Sequence, residues 1–259
     1  MNVEIDITRR CNFACPGCDR LCNIPAANPD SEMDVGEMRR VFGELAPYRI
    51  GKLCVIGGEP TLHPDIMEAC SLLHGAANAE TKLLATNHSN ERIVDEIRRR
   101  FPDIQIRYDN GHDLGRIRAL KAENHFNILM SPQAEGLGTD GHPCGFFYGC
   151  GLNVHKHRGK VRWFWCSAGT SVAKLLGLDE ELFRDSLAEL LSSYADIAWR
   201  LPEVCRNCMY SARRPVRAKD EGRVSGVFAE GLRRMGCIVE KETPSTPTTG
   251  KNEGSDAKK

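Results

Sequence analysis

Cys11-Asn12-Phe13-Ala14-Cys15-Pro16-Gly17-Cys18 follows directly on the strand-like run Val3-Glu4-Ile5-Asp6-Ile7. The spacing is Cys-x3-Cys-x2-Cys. Three thiolates this close can hold three corners of a cubane iron-sulfur cluster and leave the fourth iron without a protein ligand. A structural zinc site is the alternative at this point, because Cys22 offers a fourth thiolate and structural zinc takes four protein donors. Residues 3–7 alternate apolar and charged side chains, the period of a strand. Such a strand delivers the cysteine loop from its C-terminal end, where parallel barrels keep their active sites.

Working outward, strand and helix patterns alternate. Ser31 or Asp34 can cap a helix running to about residue 45, with Met38, Val41, Phe42 and Leu45 on one face. Residues 52–56 read as a second strand ending in Gly57-Gly58-Glu59-Pro60. Helix character over 65–73, a strand at 82–86, a helix over 91–100 capped by Asn90 and a strand at 104–108 follow. A short helix near 114–121 and a fifth strand at 126–130 complete the pattern. Such alternation implies parallel strands joined by crossovers, an α/β fold.

The cysteine loop after the first strand and the Gly-Gly-Glu-Pro after the second together resemble the radical S-adenosylmethionine (SAM) enzymes, over roughly the first half of the chain. One residue departs from that pattern: the position before the third cysteine is often aromatic in the family and is Gly17 here. The resemblance implies a partial parallel (β/α) barrel of about five to six strands. It also implies a [4Fe-4S] cluster on Cys11, Cys15 and Cys18 that binds SAM at its open iron, and an electron donor such as flavodoxin or ferredoxin. By the same resemblance, Gly57, Gly58 and the Glu59 carboxylate face the methionine ammonium. Glycine there lets backbone approach a ligand closely. Asn87 and Arg107 stand where the family often places polar groups for the ribose and carboxylate, although a strand-end Asn is also an ordinary turn residue. Phe13 packs either near the adenine or under the loop. His63, His88 and His112 also follow strands, where a histidine is more often a surface or capping residue than a catalyst.

A second cysteine group, Cys144, Cys150, Cys166, Cys205 and Cys208, resembles the SPASM or shorter twitch module that carries an auxiliary iron-sulfur cluster C-terminal to such barrels. Cys150, Cys166, Cys205 and Cys208 are the favoured ligands; Cys144 is the alternative ligand or a thiol near the substrate, and zinc remains a second reading of the same thiols. Residues 152–157 and 161–165 around Arg158-Gly159 read as a hairpin in this module, and 180–194 as a helix. Arg206, Arg213, Arg214 and Arg217 read as a solvated basic face. Cys54, Cys70 and Cys237 read as buried packing residues.

The domains expected are a barrel over 1–135, the small cysteine-rich α+β module over 136–215, a helix or strand segment over 216–240 and a disordered tail over 241–259. Equal numbers of basic and acidic residues, 35 each, give no global attraction to nucleic acid or anionic membrane. The chain shows neither a signal-peptide pattern nor a membrane-length apolar run, so a cytoplasmic protein is expected, and twelve cysteines there point to metal rather than disulfides. The function implied is hydrogen abstraction from a small molecule or peptide side chain, with oxidation, dehydrogenation or another modification as the outcome. A non-catalytic zinc or iron-sulfur redox-sensing or interaction module is the competing class.

Overall fold

The computed structural model describes residues 1–15, 17–108, 127–138, 151–213, 222–239 and 242–243. The first half builds β1 (Asn2–Thr8), α1 (Val35–Leu45), β2 (Ile50–Gly57), α2 (Ile66–Gly75), β3 (Ala79–Thr86), α3 (Glu91–Arg100) and β4 (Ile104–Tyr108). These four strands are parallel neighbours in the order β4-β3-β2-β1. Beyond β1 the same sheet continues with β5 (Leu152–His157), parallel to β1, and β6 (Lys160–Phe164), antiparallel to β5. The fold is therefore α/β with a six-stranded, mostly parallel sheet, and β1 is a central strand buried on both faces.

One face of β1 presents Val3, Ile5 and Ile7, all fully buried against Met38, Val41 and Leu45 of α1 and, further along the sheet, Ala69 and Leu73 of α2 and Ile97 of α3. The helices on this face start and stop where their chemistry says. Asp34 accepts from the Glu37 amide at 2.8 Å while Glu37 accepts from the Asp34 amide at 2.9 Å, a reciprocal cap on α1. Arg98, Arg99 and Arg100 fill the last turn of α3, where cations oppose the helix dipole.

After β6 come α4 (Gly169–Leu176), α5 (Asp179–Leu182), α6 (Leu187–Ser192), α7 (Tyr194–Ile197), α8 (Leu201–Arg206) and α9 (Gly226–Arg234). Val172 and Leu175 of α4, Val204 of α8 and Phe228 and Leu232 of α9 form a second core with Phe164. Leu21, from just beyond the cysteine loop, belongs to this second core and not to the first.

Several expectations are corrected. Residues 127–130 are a turn rather than a fifth strand, because the Asn127 side chain accepts from the Leu129 amide at 3.1 Å and offers the backbone a local partner. The hairpin at 152–164 is not confined to a separate module but joins the main sheet through β1; Arg158 and Gly159 both take positive φ, 50° and 76°, as a tight two-residue hairpin requires. The single helix expected over 180–194 is broken, since Arg184 exchanges backbone hydrogen bonds with Trp163 at 2.7 and 3.0 Å and Ser186 caps a new helix. Glu242–Thr243, in the tail expected to be disordered, pairs with Val224–Ser225. The helix near 114–121 lies outside the described residues. Among the described residues no helix is long and apolar enough to cross a membrane.

Candidate functional site

The two motifs meet at the C-terminal ends of β1 and β2. The Gly58 amide donates to the Thr8 carbonyl and the Glu59 amide to the Arg10 carbonyl, both at 2.9 Å. The turn after β2 is thus stitched to the backbone that enters the cysteine loop. Only glycine permits this approach. A Cβ on Gly57, whose φ is +159°, would stand 2.0 Å from the Thr8 oxygen, and one on Gly58 would stand 2.3 Å from the Arg10 oxygen.

Glu59 locks β3 onto this junction. It is fully buried, and one oxygen accepts from the Thr61 amide at 3.0 Å and from the Thr61 and Thr86 hydroxyls at 2.6 Å each. The other oxygen accepts from the Asn87 amide at 2.5 Å. Asn87 in turn donates to Asn12 at 2.9 Å and approaches the Cys11 sulfur at 3.9 Å. Thus Gly57, Gly58, Glu59 and Asn87 converge on the cysteine loop. Arg107 lies on the sheet face shared with Glu4 and Asp6, exposed, on β4. His63 is structural: its ring bonds the Met33 carbonyl at 2.8 Å and accepts from the Asp65 amide at 3.0 Å.

Cys11, Cys15 and Cys18 are each partly exposed, whereas Cys22 is buried. The Phe13 amide donates to the Cys11 sulfur and the Cys22 amide to the Cys18 sulfur, both at 3.4 Å. A hydrogen bond from the Cys22 thiol is the main reason the Cys18 thiol drops to about 7, close to thiolate at neutral pH. The same bond, with burial, pushes the Cys22 thiol up. Burial raises the Cys11 thiol. Among the described residues no three cysteine sulfurs lie within 4.8 Å of one another.

Beneath the loop lies a buried ionic frame that sequence reading missed. Arg9 donates to Asp6 at 2.9 and 3.1 Å, and Arg20 donates to Asp6 at 3.2 Å and to Glu4 at 2.6 Å. Burial alone would raise the Asp6 carboxyl, but the two guanidiniums outweigh it and hold it below the usual carboxylate value. From α4 and the turn before it, Ser167 accepts from Arg20 at 2.7 Å and donates to Glu4 at 2.5 Å, and Thr170 accepts from Arg9 at 3.2 Å. Burial drives the Lys174 amine and the His155 imidazole well down, toward their neutral forms. The signal available in sequence was the pair of acids inside an otherwise apolar strand.

Of the second cysteine group, Cys144 and Cys150 lie outside the described residues. Cys166 follows β6, Cys205 lies in the last turn of α8 and Cys208 is buried. The structure brings these segments together around α4: a Cβ on Gly169 would meet both the Cys166 Cβ and the Val204 side chain at 3.3 Å. They also touch the first group, since the Tyr210 hydroxyl donates to Asp19 at 3.2 Å.

Two curated relatives are GTP 3',8-cyclases. That of Mannheimia succiniciproducens is 25% identical over 130 residues, 49% of this chain and 38% of that protein. A Probable GTP 3',8-cyclase of Methanopyrus kandleri is 34% identical over 86 residues, 33% of this chain and 26% of that protein. The chain thus spans only about a quarter to two fifths of the length of these relatives. Among solved structures, that of BtrN in complex with AdoMet and 2-DOIA aligns with a TM-score of 0.46 and 13% identity, over 80% of this chain and 94% of that one. A family model described as Radical SAM superfamily matches residues 5–127, a span that holds Cys11, Cys15, Cys18 and the Gly57-Gly58 turn. Residues 5–127 form a radical SAM superfamily domain.

Proposed function

We propose that the chain is a radical SAM enzyme in which Cys11, Cys15 and Cys18 hold a [4Fe-4S] cluster with one iron open to the amino and carboxylate groups of SAM. The observation that carries this reading is the junction of two motifs distant in sequence: a side-chain-free Gly57-Gly58 turn bonded to the backbone that enters the three-thiol loop. The donor set fits, because thiolates are the ligands such clusters take, and the Cys18 thiol is lowered by its hydrogen bond from Cys22. When bound, the cluster supplies the electron that cleaves SAM to a deoxyadenosyl radical, which then takes a hydrogen atom from a substrate carbon.

The chain's own residues position and shield. Gly57 and Gly58 keep the turn open to the methionine end of SAM. Glu59 holds Thr86 and Asn87 in register with the turn, so that Asn87 reaches the loop and the ribose side of the cofactor. Arg107, exposed on the inner face of β4, is assigned to a carboxylate. Phe13, half-buried in the loop between Cys11 and Cys15, is assigned to the adenine side of the cofactor.

Cys166, Cys205 and Cys208, with Cys150 or else Cys144, are proposed to hold an auxiliary iron-sulfur cluster in a twitch-like module. That second centre makes a two-electron oxidation or dehydrogenation of a small molecule the favoured outcome, with a peptide side chain as the other substrate class and a flavodoxin or ferredoxin as electron donor. Protein reconstituted without oxygen tests the reading. Reduced wild type is expected to release deoxyadenosine from SAM, and Cys205→Ala to retain some release while losing the substrate-dependent product. No release from wild type carrying a full complement of iron contradicts it.

A further inference from the structure

Asp19 and Arg20 follow Cys18 directly, and both are held by residues from the other cysteine-bearing segments. Ser167, next to Cys166, places its hydroxyl between Arg20 and Glu4, at 2.7 and 2.5 Å. Tyr210, two residues beyond Cys208, donates to Asp19 at 3.2 Å. Arg20 is 7% exposed and Ser167 3%, and the Glu4 and Asp6 carboxylates that Arg20 bonds are 6% and 0% exposed. In so dry a place the guanidinium has no water to turn to, and its side-chain orientation follows from these partners.

Both residues belong to the turn that leads out of Cys18. Arg20 sits inside the turn from Cys18 to Cys22, where the Leu21 amide donates to the Cys18 carbonyl at 3.0 Å and the Cys22 amide to the Cys18 sulfur at 3.4 Å. Hydrogen bonds to a cluster sulfur set its reduction potential, because they stabilise the more negative reduced state. A contact that tilts Arg20 therefore reaches the cluster without touching it.

We propose that Ser167 and Tyr210 are positioning residues through which the Cys166–Cys208 region sets the geometry, and so the potential, of the loop that carries Cys11, Cys15 and Cys18. The inference rests on the reading that this loop holds a SAM-responsive cluster, and it requires nothing of the metal content of the second region. It gives the two regions a mechanical link: a change at Cys166 or Cys208 is felt at Cys18 through two side chains.

Four proteins reconstituted without oxygen test it: wild type, Ser167→Ala, Tyr210→Phe and the control Arg39→Gln. The readouts are iron content and the midpoint potential of the cluster whose paramagnetic resonance spectrum changes on adding SAM. Both variants should keep the iron bound by wild type while that cluster becomes harder to reduce by about three-fold, about 28 mV at 59 mV per decade for one electron. Tyr210→Phe removes a single hydroxyl, so it answers the question even where Ser167→Ala folds poorly. Arg39→Gln, which breaks an ion pair with Glu68 on the outer helices, should leave the potential unmoved. A responsive wild-type cluster with unshifted or raised potentials in both variants overturns the inference alone. A wild-type cluster that ignores SAM overturns it together with the functional reading.

Discussion

The cysteine loop and the second cysteine region are built by different means. Around Cys11, Cys15 and Cys18 the joints are backbone on backbone: Gly58 on Thr8, Glu59 on Arg10, and a carboxylate that collects the end of β3. Around Cys166, Cys205 and Cys208 they are side chains from short helices, set against a second core and wedged into the ions below β1. The first arrangement fixes a shape that tolerates no added atom. The second fixes an electrostatic balance that tolerates no unpaired charge. Substitutions therefore separate the two regions by the kind of damage each suffers.

The largest expected effect comes from the element they share. Arg20→Met leaves Glu4 without its guanidinium and Asp6 with only Arg9, and removing one partner of a buried pair costs about 4 kcal/mol. Denaturant unfolding should show that loss; a change below about 1 kcal/mol, the scale of an exposed pair, would break the claim that the frame is dry. Gly58→Ala strikes the first region alone. Its Cβ would stand 2.3 Å from the Arg10 carbonyl oxygen, and relieving such overpacking costs about 2 to 3 kcal/mol. The turn then lifts from the loop, and iron incorporation at Cys11, Cys15 and Cys18 should fall with it.

Acid should act on the second region first. Burial, with Arg9 and Lys174 nearby, holds His155 neutral far below 6.5. In the unfolded chain it takes up a proton near pH 6.5, so stability is full above that pH and falls as pH drops from about 6.5 toward the depressed folded value. The slope approaches about 1.4 kcal/mol per pH unit for this one group. His155→Gln should flatten the decline; an unchanged slope removes His155 from the account. The smallest effect sharpens the role of Glu59. Thr86→Val deletes one of four hydrogen bonds to that carboxylate at about 1 kcal/mol, and Asn87 should loosen, weakening SAM binding more than iron binding.

How much was legible in sequence follows the same division. Local pattern located β4 and β5 to the residue and α1 to one of two candidate caps, because period, cap and tight turn are properties of neighbours. The Gly-Gly turn was legible because a close approach demands glycine. Long-range matters were not. The two acids in an otherwise apolar strand were the only local hint of the ionic frame, and they do not name its partners: Ser167, which donates to Glu4, is 163 residues away. The place of β5 beside β1 was hidden for the same reason, since a parallel partner need not be close in sequence. Residues 127–130 and 180–194 misled because Asn127 and Arg184 bond away from the pattern their neighbours display.

The most direct test of the central claim, an iron at the Cys11, Cys15 and Cys18 loop left open for SAM, is the paramagnetic resonance spectrum of the reduced wild-type protein with and without SAM. The account predicts a cluster signal that changes on addition and that Cys15→Ala lacks. An unchanged signal, or zinc held by four thiolates at this loop, would contradict it.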